Sequence, residues 1–409
     1  MNEGPAGLLE QLTREPIPSE MPFPMSEYSE RLRKVRQRMA DQGIEVMLIT
    51  NPPNTCYLSG YESLMSTGYS TLIVPLQGDL TLHLPELDIP SMLLNGWVRD
   101  LVVFDWAKPI EVTQQLADAL MQRGFSASAL GVEMGQAETF AWGAMDARSY
   151  LRLKELLPDA RFLDATGLVQ EVRLLKSPAE LDCMRKAGEW TWLGLKASIE
   201  ILAAGKTDND LAAAAYAAMI SAGSEVPSIA PIVLGGRRSG WAPHNMFKRY
   251  VLAKGDSFYL EYSGNYHRYN APSMRGACIG EPSDDVRRMA DASLATLEIL
   301  FESIRPGRTG HDIAKEADKG LAGVGDDVYF HRGYGYAVGM GFPPTWTEAA
   351  MYIAEGIDRP LETGMTFHLP IGIWIPGKCG VSFSETVVVT DDGCALLTPG
   401  KGRELAVVA

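Results

Sequence analysis

The chain has 409 residues, of which 46% are hydrophobic, and a formal net charge of −14. This length and composition suffice for a large core and predict two domains rather than a disordered chain. Because no basic cluster interrupts the acidic excess, and because the longest apolar run is about half of the roughly 20 residues that a membrane helix needs, we expect neither a nucleic-acid nor a membrane partner.

Residues 1–24 are predicted to form a proline-rich arm, since they lack the basic and apolar stretches of a signal peptide. A cytoplasmic protein is therefore expected. An amphipathic helix is predicted from Ser26 to Gln42. Strand patterns then alternate with helical segments near Ile110–Gln122 and Thr139–Leu156, which favours an α/β domain over residues 25–165. The predicted strands are 46–50, 70–75, 80–84, 101–106 and 129–133.

The five cysteines are widely spaced and form no Cys-x-x-Cys pair. Neither a disulfide framework nor a thiolate metal site is predicted from this spacing. Each is expected to be a small core residue: Cys56, Cys183, Cys278, Cys379 and Cys394.

A second domain is predicted over residues 166–409. Its first long helix is expected to begin at a capping box formed by Ser177 and Glu180. Two segments of this domain, EILAAGKTDNDLA (200–212) and ESIRPGRTGHDIA (302–314), match at an offset of 102 residues. In each copy a helix is predicted to end at the glycine and the next to begin at the threonine. The domain is therefore predicted to hold two copies of one unit, with equivalent strands at 258–262 and 365–369.

The segment Asp256–Arg275 is predicted to be a hairpin, with a first strand from Phe258 to Tyr262 and a turn around Gly264. Glu261 lies in the middle of this strand among apolar and aromatic residues. An unpaired charge is costly in such a place, so the residue needs a partner or a function. A glutamate on a solvated strand face is the ordinary alternative.

Three further segments resemble the creatinase/aminopeptidase P superfamily, an M24-like family with the "pita-bread" fold. They are GYGYAVGMGFPP (333–344), LETGMTFHLPIGIWIPG (361–377) and GVSFSETVVVTDDG (380–393). The resemblance implies a mixed α/β (α+β) chain with a small creatinase-type N-terminal domain and a pita-bread catalytic domain with a pseudo-two-fold repeat. It also implies a homodimer in which the N-terminal domain contacts the partner's active site.

Peptidases of this superfamily bind two metal ions through five carboxylate and imidazole ligands. Their ligand positions fall on Glu261, Pro272, Tyr336, Pro370 and Ser384 in this sequence. Two prolines, a tyrosine and a serine do not form the shell that divalent ions require. We therefore expect no metal and no other cofactor.

The resemblance is strongest to a metal-free branch, the ectoine hydrolases. The shared patterns include RYNAPSMR (268–275), GMTFH (364–368) and a tyrosine- and glycine-rich run that ends at Glu348. Creatinase shares the setting of His244, but its guanidinium-binding carboxylates are missing here, where Met274 and Pro370 stand. The loop 60–65 also departs from the ectoine hydrolase pattern.

This resemblance implies hydrolysis of a carbon–nitrogen bond in a small cyclic amidine or a related zwitterionic compound. Without a metal-bound hydroxide, a carboxylate can attack directly, and Glu261 is the candidate nucleophile. His244 is the candidate general acid and base, since histidine titrates near neutral pH. A histidine in an ordinary turn is the alternative for His244.

A protonated amidine favours negative charge and aromatic faces in its site. The candidates that offer them are Glu348, Glu385, Trp241, Tyr336, Phe342 and Trp346. A substrate carboxylate favours arginine, and Arg275, Arg237 or Arg238 can supply it, although Arg275 is equally suited to pair with Glu261 or Glu385. His368 is either a polar contact or a core residue. The other four histidines, His83, His267, His311 and His331, are expected at the surface or at caps.

Three alternatives stay open from the sequence. One is a creatinase-like amidinohydrolase, and another is a residual Xaa-Pro aminopeptidase with a single metal. The third is a non-catalytic, peptide-binding pita-bread module, which would need neither Glu261 nor His244.

Overall fold

The computed structural model describes residues 4–65, 68–107, 111–135 and 144–409. The chain forms two compact units, Met1–Val172 and Arg173–Ala409. The first unit alternates helices and strands, in the order α1 Gly4–Leu12, α2 Met25–Asp41, β1 Val46–Ile49, α3 Pro52–Ser59, β2 Thr71–Pro75, β3 Thr81–Pro85, α4 Ile89–Asn95, β4 Asp100–Phe104, α5 Val112–Gln122, β5 Ala129–Val132, α6 Ala147–Leu156, β6 Arg161–Asp164 and α7 Leu168–Arg173, the last of which reaches the boundary.

The six strands of the first unit form one sheet in the order β4-β3-β2-β1-β5-β6. The β1–β2 and β2–β3 pairs are antiparallel, and the other three pairs are parallel. Helices α5 and α6 cover the sheet and bury Leu116, Leu120 and Leu153 against β1 and β5. The five predicted strands of this unit are confirmed within two residues at each end.

Three expectations for the first unit need correction or qualification. His83 is fully buried in β3, where it contacts the Tyr69 hydroxyl at 2.8 Å and Gln115 Oε1 at 3.0 Å, so the surface assignment was wrong. Burial lowers the pKa of His83 to about 4, which keeps the ring neutral. The predicted arm contains helix α1. Residues 110 and 139–143 of the predicted helices lie outside the described residues.

The second unit carries the remaining elements. In chain order they are α8 Pro178–Glu200, α9 Asp208–Ser221, β7 Ile232–Gly235, β8 Ser257–Tyr262, β9 Asn265–Tyr266, β10 Tyr269–Asn270, β11 Ser273–Ile279, α10 Asp284–Ser303, α11 Gly310–Ala317, β12 Gly333–Phe342, β13 Thr345–Ala354, β14 Thr366–His368, β15 Ile371–Ile375, β16 Cys379–Phe383, β17 Thr386–Val389, β18 Cys394–Leu396 and β19 Ala406–Val408. Short 3₁₀ turns occur at Glu86–Asp88 in the first unit and at Gly236–Trp241 and Asp318–Leu321 in the second.

The sheets of the second unit confirm the predicted equivalence of two strands. Strand β8 lies between β7 and β11, and β14 lies between β12 and β17, so each is an inner strand of its own sheet. Helices α8 and α9 pack on the β8 side around Leu195, Leu211 and Leu260. Helices α10 and α11 pack on the β14 side around Leu300 and Phe367.

The repeat is also visible in the helix caps. Thr207 and Thr309 each accept a hydrogen bond from the backbone three residues on, at the start of α9 and α11. Ser177 and Glu180 form the predicted capping box of α8. The helices before the two glycines end earlier than predicted, because α8 stops at Glu200 and α10 at Ser303.

The hairpin around Glu261 is more elaborate than predicted. The chain does not turn at Gly264, since Asn265–Tyr266 pairs with Tyr269–Asn270 as an extra small hairpin. Its turn residues, His267 and Arg268, have φ values of 52° and 66°, as the tight turns that join two antiparallel strands require. The second long strand then runs from Ser273 through Arg275 to Ile279.

Two expectations from composition can be compared with the structure. All five cysteines are free, three of them buried and two, Cys379 and Cys394, half-buried. Among the helices of the described residues, none is long and apolar enough to cross a membrane.

Candidate active site

A row of side chains crosses the second unit from β7 to β14. Glu261 in β8 is in register with Ile232 of β7 on one side and with Met274 of β11 on the other. Met274 forms an isolated antiparallel bridge with Ser384, which joins the two sheets. Ser384 in turn contacts His368 of β14. The bridge therefore aligns the predicted nucleophile with residues more than 100 positions away.

Glu261 is buried, with 5% of its surface exposed. Its carboxylate accepts a hydrogen bond of 3.3 Å from the Tyr259 hydroxyl. Within the described residues, no lysine, arginine or histidine lies at ion-pair distance from it. Burial raises the pKa of Glu261 to about 8, and the bond from Tyr259 offsets only part of this effect. Near neutral pH the free protein therefore holds this carboxyl mostly protonated.

Two polar side chains, Trp346 and His368, contact the hydroxyl of Tyr336, and His368 in turn contacts Ser384. The indole Nε1 of Trp346 donates to this oxygen at 2.8 Å. His368 Nδ1 lies 2.7 Å from it, and His368 Nε2 lies 2.6 Å from Ser384 Oγ. Strand pairing sets this geometry, since Tyr336 of β12 is opposite His368 of β14.

The residues of this cluster are neutral over the physiological range. Burial lowers the pKa of His368 to about 3. Burial, followed by the charge of Glu261, raises the pKa values of Tyr259 and Tyr336 well above 10. Among Glu261, Tyr259, Tyr336 and His368, Glu261 is consequently the group that changes charge near pH 8.

Two of the predicted substrate carboxylates are paired inside the protein. Glu348 forms ion pairs with Arg173 at 2.7 Å and with Lys176 at 2.6 Å. Burial alone would raise the pKa of Glu348, but the two cations outweigh it and hold the pKa below its ordinary value. Glu385 pairs with Arg275 at 2.6 Å.

Arg275 contacts Glu385 and not Glu261. Its guanidinium also donates to the backbone oxygens of Met274, Ser384 and Lys401. In β11 it lies one residue after Met274, so its side chain leaves the opposite face of the strand from the one that carries Glu261. This geometry favours the structural alternative for Arg275.

Trp241 ends the 3₁₀ turn that follows β7, and His244 lies on the exposed loop after it. Trp241 is 63% exposed and His244 is also exposed. Ala242 between them packs against a small cluster that contains Tyr259 and Met274, on the face of β8 that carries Glu261. The loop therefore borders the predicted nucleophile, although His244 forms no hydrogen bond with Glu261. His244 lies near His331 instead, whose pKa is lowered first by burial and then by the electrostatic effect of His244.

The remaining candidates are dispersed. Phe342 is buried and packs under the Arg268 guanidinium at 4.6 Å from the ring centre. Arg238 pairs with Asp208. Arg237 is exposed on the short 3₁₀ turn that precedes the His244 loop.

The donors at this site do not fit a dinuclear metal centre. Of the five positions at which the resemblance implies metal ligands, Glu261 keeps a carboxylate, and the Pro272 carbonyl already accepts a hydrogen bond from Thr386. In the part of the chain that the structure describes, no group of three or more His, Cys, Asp or Glu side chains could hold a metal ion. One carboxylate and one imidazole, the latter bonded on both nitrogens, are too few.

Several residues of the site were missed in the sequence. Tyr259 was not singled out, although it lies two residues before Glu261 and so shares its strand face. Arg173 and Lys176 were not linked to Glu348, because nothing in the local sequence pairs residues more than 170 positions apart. Ser384 was treated as a lost metal ligand rather than as a partner of His368.

Comparison with known proteins is consistent with this architecture. Metallopeptidase family M24 matches residues 182–391, and the creatinase/prolidase N-terminal domain matches residues 31–175. The chain is 30% identical to ectoine hydrolase from Halomonas elongata over 400 residues, which is 92% of this chain and 96% of that protein.

Solved structures share the fold along nearly the whole chain. Dipeptidase PepE from Mycobacterium ulcerans is 26% identical, with a TM-score of 0.78 over 94% of this chain and 99% of that one. The Xaa-Pro dipeptidase from Bacillus anthracis is 22% identical, with a TM-score of 0.79 over 93% of this chain and 100% of that one.

Proposed function

Because this chain belongs to metallopeptidase family M24 and carries a creatinase/prolidase N-terminal domain, we propose that its hydrolase activity is of the ectoine hydrolase type. The substrate class is a small cyclic amidine or a related zwitterionic compound, opened at a carbon–nitrogen bond. Glu261 is the nucleophile, and His244 on the bordering loop is the acid and base.

The observation that carries this proposal is a buried carboxylate surrounded by neutral polar groups. With a pKa of about 8, Glu261 is a weak nucleophile in the free protein. A bound amidinium about 4 Å away would favour its ionised form by roughly 4 kcal/mol at an effective dielectric constant of about 20. This interaction is comparable to the cost of burial, so a cationic substrate generates the reactive carboxylate that attacks it.

The surrounding groups suit a cation that carries a carboxylate of its own. Tyr336, whose pKa the charge of Glu261 raises, offers an aromatic ring near that carboxylate, and Trp346 is hydrogen-bonded to Tyr336. Arg237, exposed before the His244 loop, is the arginine that we assign to a substrate carboxylate. Glu348 and Glu385 position other elements, since their charges are offset by Arg173, Lys176 and Arg275.

We also propose that the reaction does not use a metal. The donor set supports this, since Pro272, Tyr336, Pro370 and Ser384 stand where the resemblance to the peptidases implies ligands. Homodimer formation and a cytoplasmic location remain predictions. Light scattering after size-exclusion chromatography tests the first of them.

The decisive experiment is turnover of ectoine, hydroxyectoine, creatine and a proline dipeptide, each with and without a chelator. We expect ring opening of an ectoine-type compound that the chelator leaves unchanged and that Glu261→Gln abolishes in a folded protein. Near-normal turnover by Glu261→Gln would contradict the proposed nucleophilic role of Glu261.

A peptidase is the second candidate, and its support is the match to family M24 and to Dipeptidase PepE. It predicts cleavage of the proline dipeptide that is lost with the chelator, together with stoichiometric manganese, iron or zinc in the purified protein. A non-catalytic module predicts no turnover of any of the four compounds, with or without the chelator.

A further inference from the structure

The cluster around Tyr336 has one side-chain proton more than the hydrogen bonds within it can use. Tyr336 Oη, both ring nitrogens of His368 and Ser384 Oγ form a chain with contacts of 2.7 Å and 2.6 Å. The indole of Trp346 can only donate, so Tyr336 Oη accepts from it. Neutral His368 carries one ring proton, and its position decides which hydroxyl proton remains unused.

Two arrangements are possible. If the proton is on Nε2, His368 donates to Ser384 and accepts the Tyr336 proton, and the Ser384 proton is left unused. If it is on Nδ1, His368 donates to Tyr336 and accepts from Ser384, and the Tyr336 proton is left unused.

Burial distinguishes the two arrangements. Ser384 and His368 are fully buried, whereas Tyr336 is half-buried. Among the described residues, no acceptor other than His368 lies within hydrogen-bond distance of Ser384 Oγ. An unused proton on Ser384 would cost an unmade buried hydrogen bond, which corresponds to a population ratio of roughly ten or more. The Tyr336 hydroxyl, in contrast, has the side chain of Thr347 as a further hydrogen-bond partner, so a proton that His368 does not use can be directed there in the free protein or to a bound molecule.

We propose that the Tyr336 hydroxyl is a catalytic hydrogen-bond donor beside Glu261, and that His368, held in its Nδ1–H tautomer by Ser384, is the positioning residue that keeps this proton available. Trp346 fixes the same oxygen from a second direction. The catalytic role rests on the proposed hydrolase function, whereas the tautomer does not.

The donor acts at one point of the reaction. When Glu261 attacks the amidine carbon, a new carbon–oxygen bond forms and the π electron pair of the carbon–nitrogen bond moves to one nitrogen. That nitrogen has no free lone pair in the bound amidinium and gains one as the adduct forms. Tyr336 therefore finds its acceptor only as the transition state develops, and no oxygen–hydrogen bond of Tyr336 is broken.

The tautomer can be tested without any substrate. With ¹⁵N-labelled histidine, long-range ¹H–¹⁵N correlation spectra show which ring nitrogen carries the proton, and His368→Asn identifies the signals of His368 among the six histidines. We expect a proton on Nδ1, and loss of this preference in Ser384→Ala. A proton on Nε2 overturns the proposal, and an unchanged spectrum in Ser384→Ala overturns the role of Ser384.

Kinetics test the catalytic role on a substrate that the wild type opens. Tyr336→Phe should lower kcat by roughly 100-fold while KM changes less than about threefold. Tyr334→Phe is the matched control, because it removes a hydroxyl of the same strand that bonds Asp318, and it should keep full turnover. Equal kcat values in Tyr336→Phe and wild type overturn the role.

A variant of His368 separates positioning from folding. His368→Asn keeps an N–H group near the position of Nδ1, whereas His368→Leu has none, so kcat should be higher in the asparagine variant when both melt at similar temperatures. Equal kcat values contradict the positioning role. If the wild type opens no tested substrate, the proposed function fails, and the spectra still decide the tautomer.

Discussion

Replacing Glu261 by glutamine should make the protein more stable as well as inactive. The fold raises the pKa of this carboxyl from an ordinary value of 4.5 to about 8. At about 1.4 kcal/mol per pKa unit, ionisation of Glu261 costs the folded state up to roughly 5 kcal/mol. The folded state is more stable when Glu261 is protonated. The folding free energy is therefore unaffected by this ionisation below pH 4.5, and stability is lost as the pH rises through about 8.

The expected difference follows from the populations of the two forms. At pH 7 the carboxyl is mostly protonated in the fold and mostly ionised in the unfolded chain, so Glu261→Gln should gain up to about 3 kcal/mol. At pH 5 the gain falls below about 1 kcal/mol, and at pH 9 it approaches the full value. In thermal unfolding this predicts a rise in Tm of roughly 5–10 °C at pH 7 and a smaller one at pH 5.

Glu348→Gln is the matched control, since it removes the charge of a buried carboxylate that has cationic partners. It should destabilise the protein by roughly 3–5 kcal/mol, because Arg173 and Lys176 lose their buried counter-charge. The reasoning about Glu261 is refuted if Glu261→Gln melts at or below the wild-type temperature at pH 9, or if its advantage shrinks as the pH rises.

Three other outcomes follow from the same contacts. On the acid side, kcat/KM should rise with the ionisation of Glu261 near pH 8 and reach about a tenth of its limiting value at pH 7. Tyr259, Tyr336 and His368 do not titrate in this range, so a flat profile between pH 6 and 9 contradicts this prediction. Ser177→Ala should cost about 1 kcal/mol in denaturant unfolding through loss of the α8 capping box, and no change would show that the cap is dispensable. Arg275→Lys should cost roughly 2–3 kcal/mol in the same assay, since lysine cannot reproduce the bonds to Glu385 and the backbone; wild-type stability would contradict this.

The elements of the fold were predictable because their signals are local. The capping box at Ser177 and the caps at Thr207 and Thr309 depend on residues three positions apart, and the strand patterns depend on alternation within a few residues. The errors occurred where longer contacts override the local pattern. His83 has the sequence setting of a surface histidine, and the small hairpin around His267 interrupts what looked like one turn.

The sequence alone determined that a glutamate stands in a strand among apolar and aromatic residues, and the resemblance to the peptidases implied that four of their five metal-ligand positions carry other residues. Only the tertiary structure decided the partners. It places Arg275 with Glu385 rather than Glu261, pairs Glu348 with Arg173 and Lys176, and links Tyr336 to Ser384 through His368. These choices depend on which strands become neighbours, and strand pairing between distant segments is set by packing of the whole sheet, which leaves no periodic trace in the sequence around any one residue.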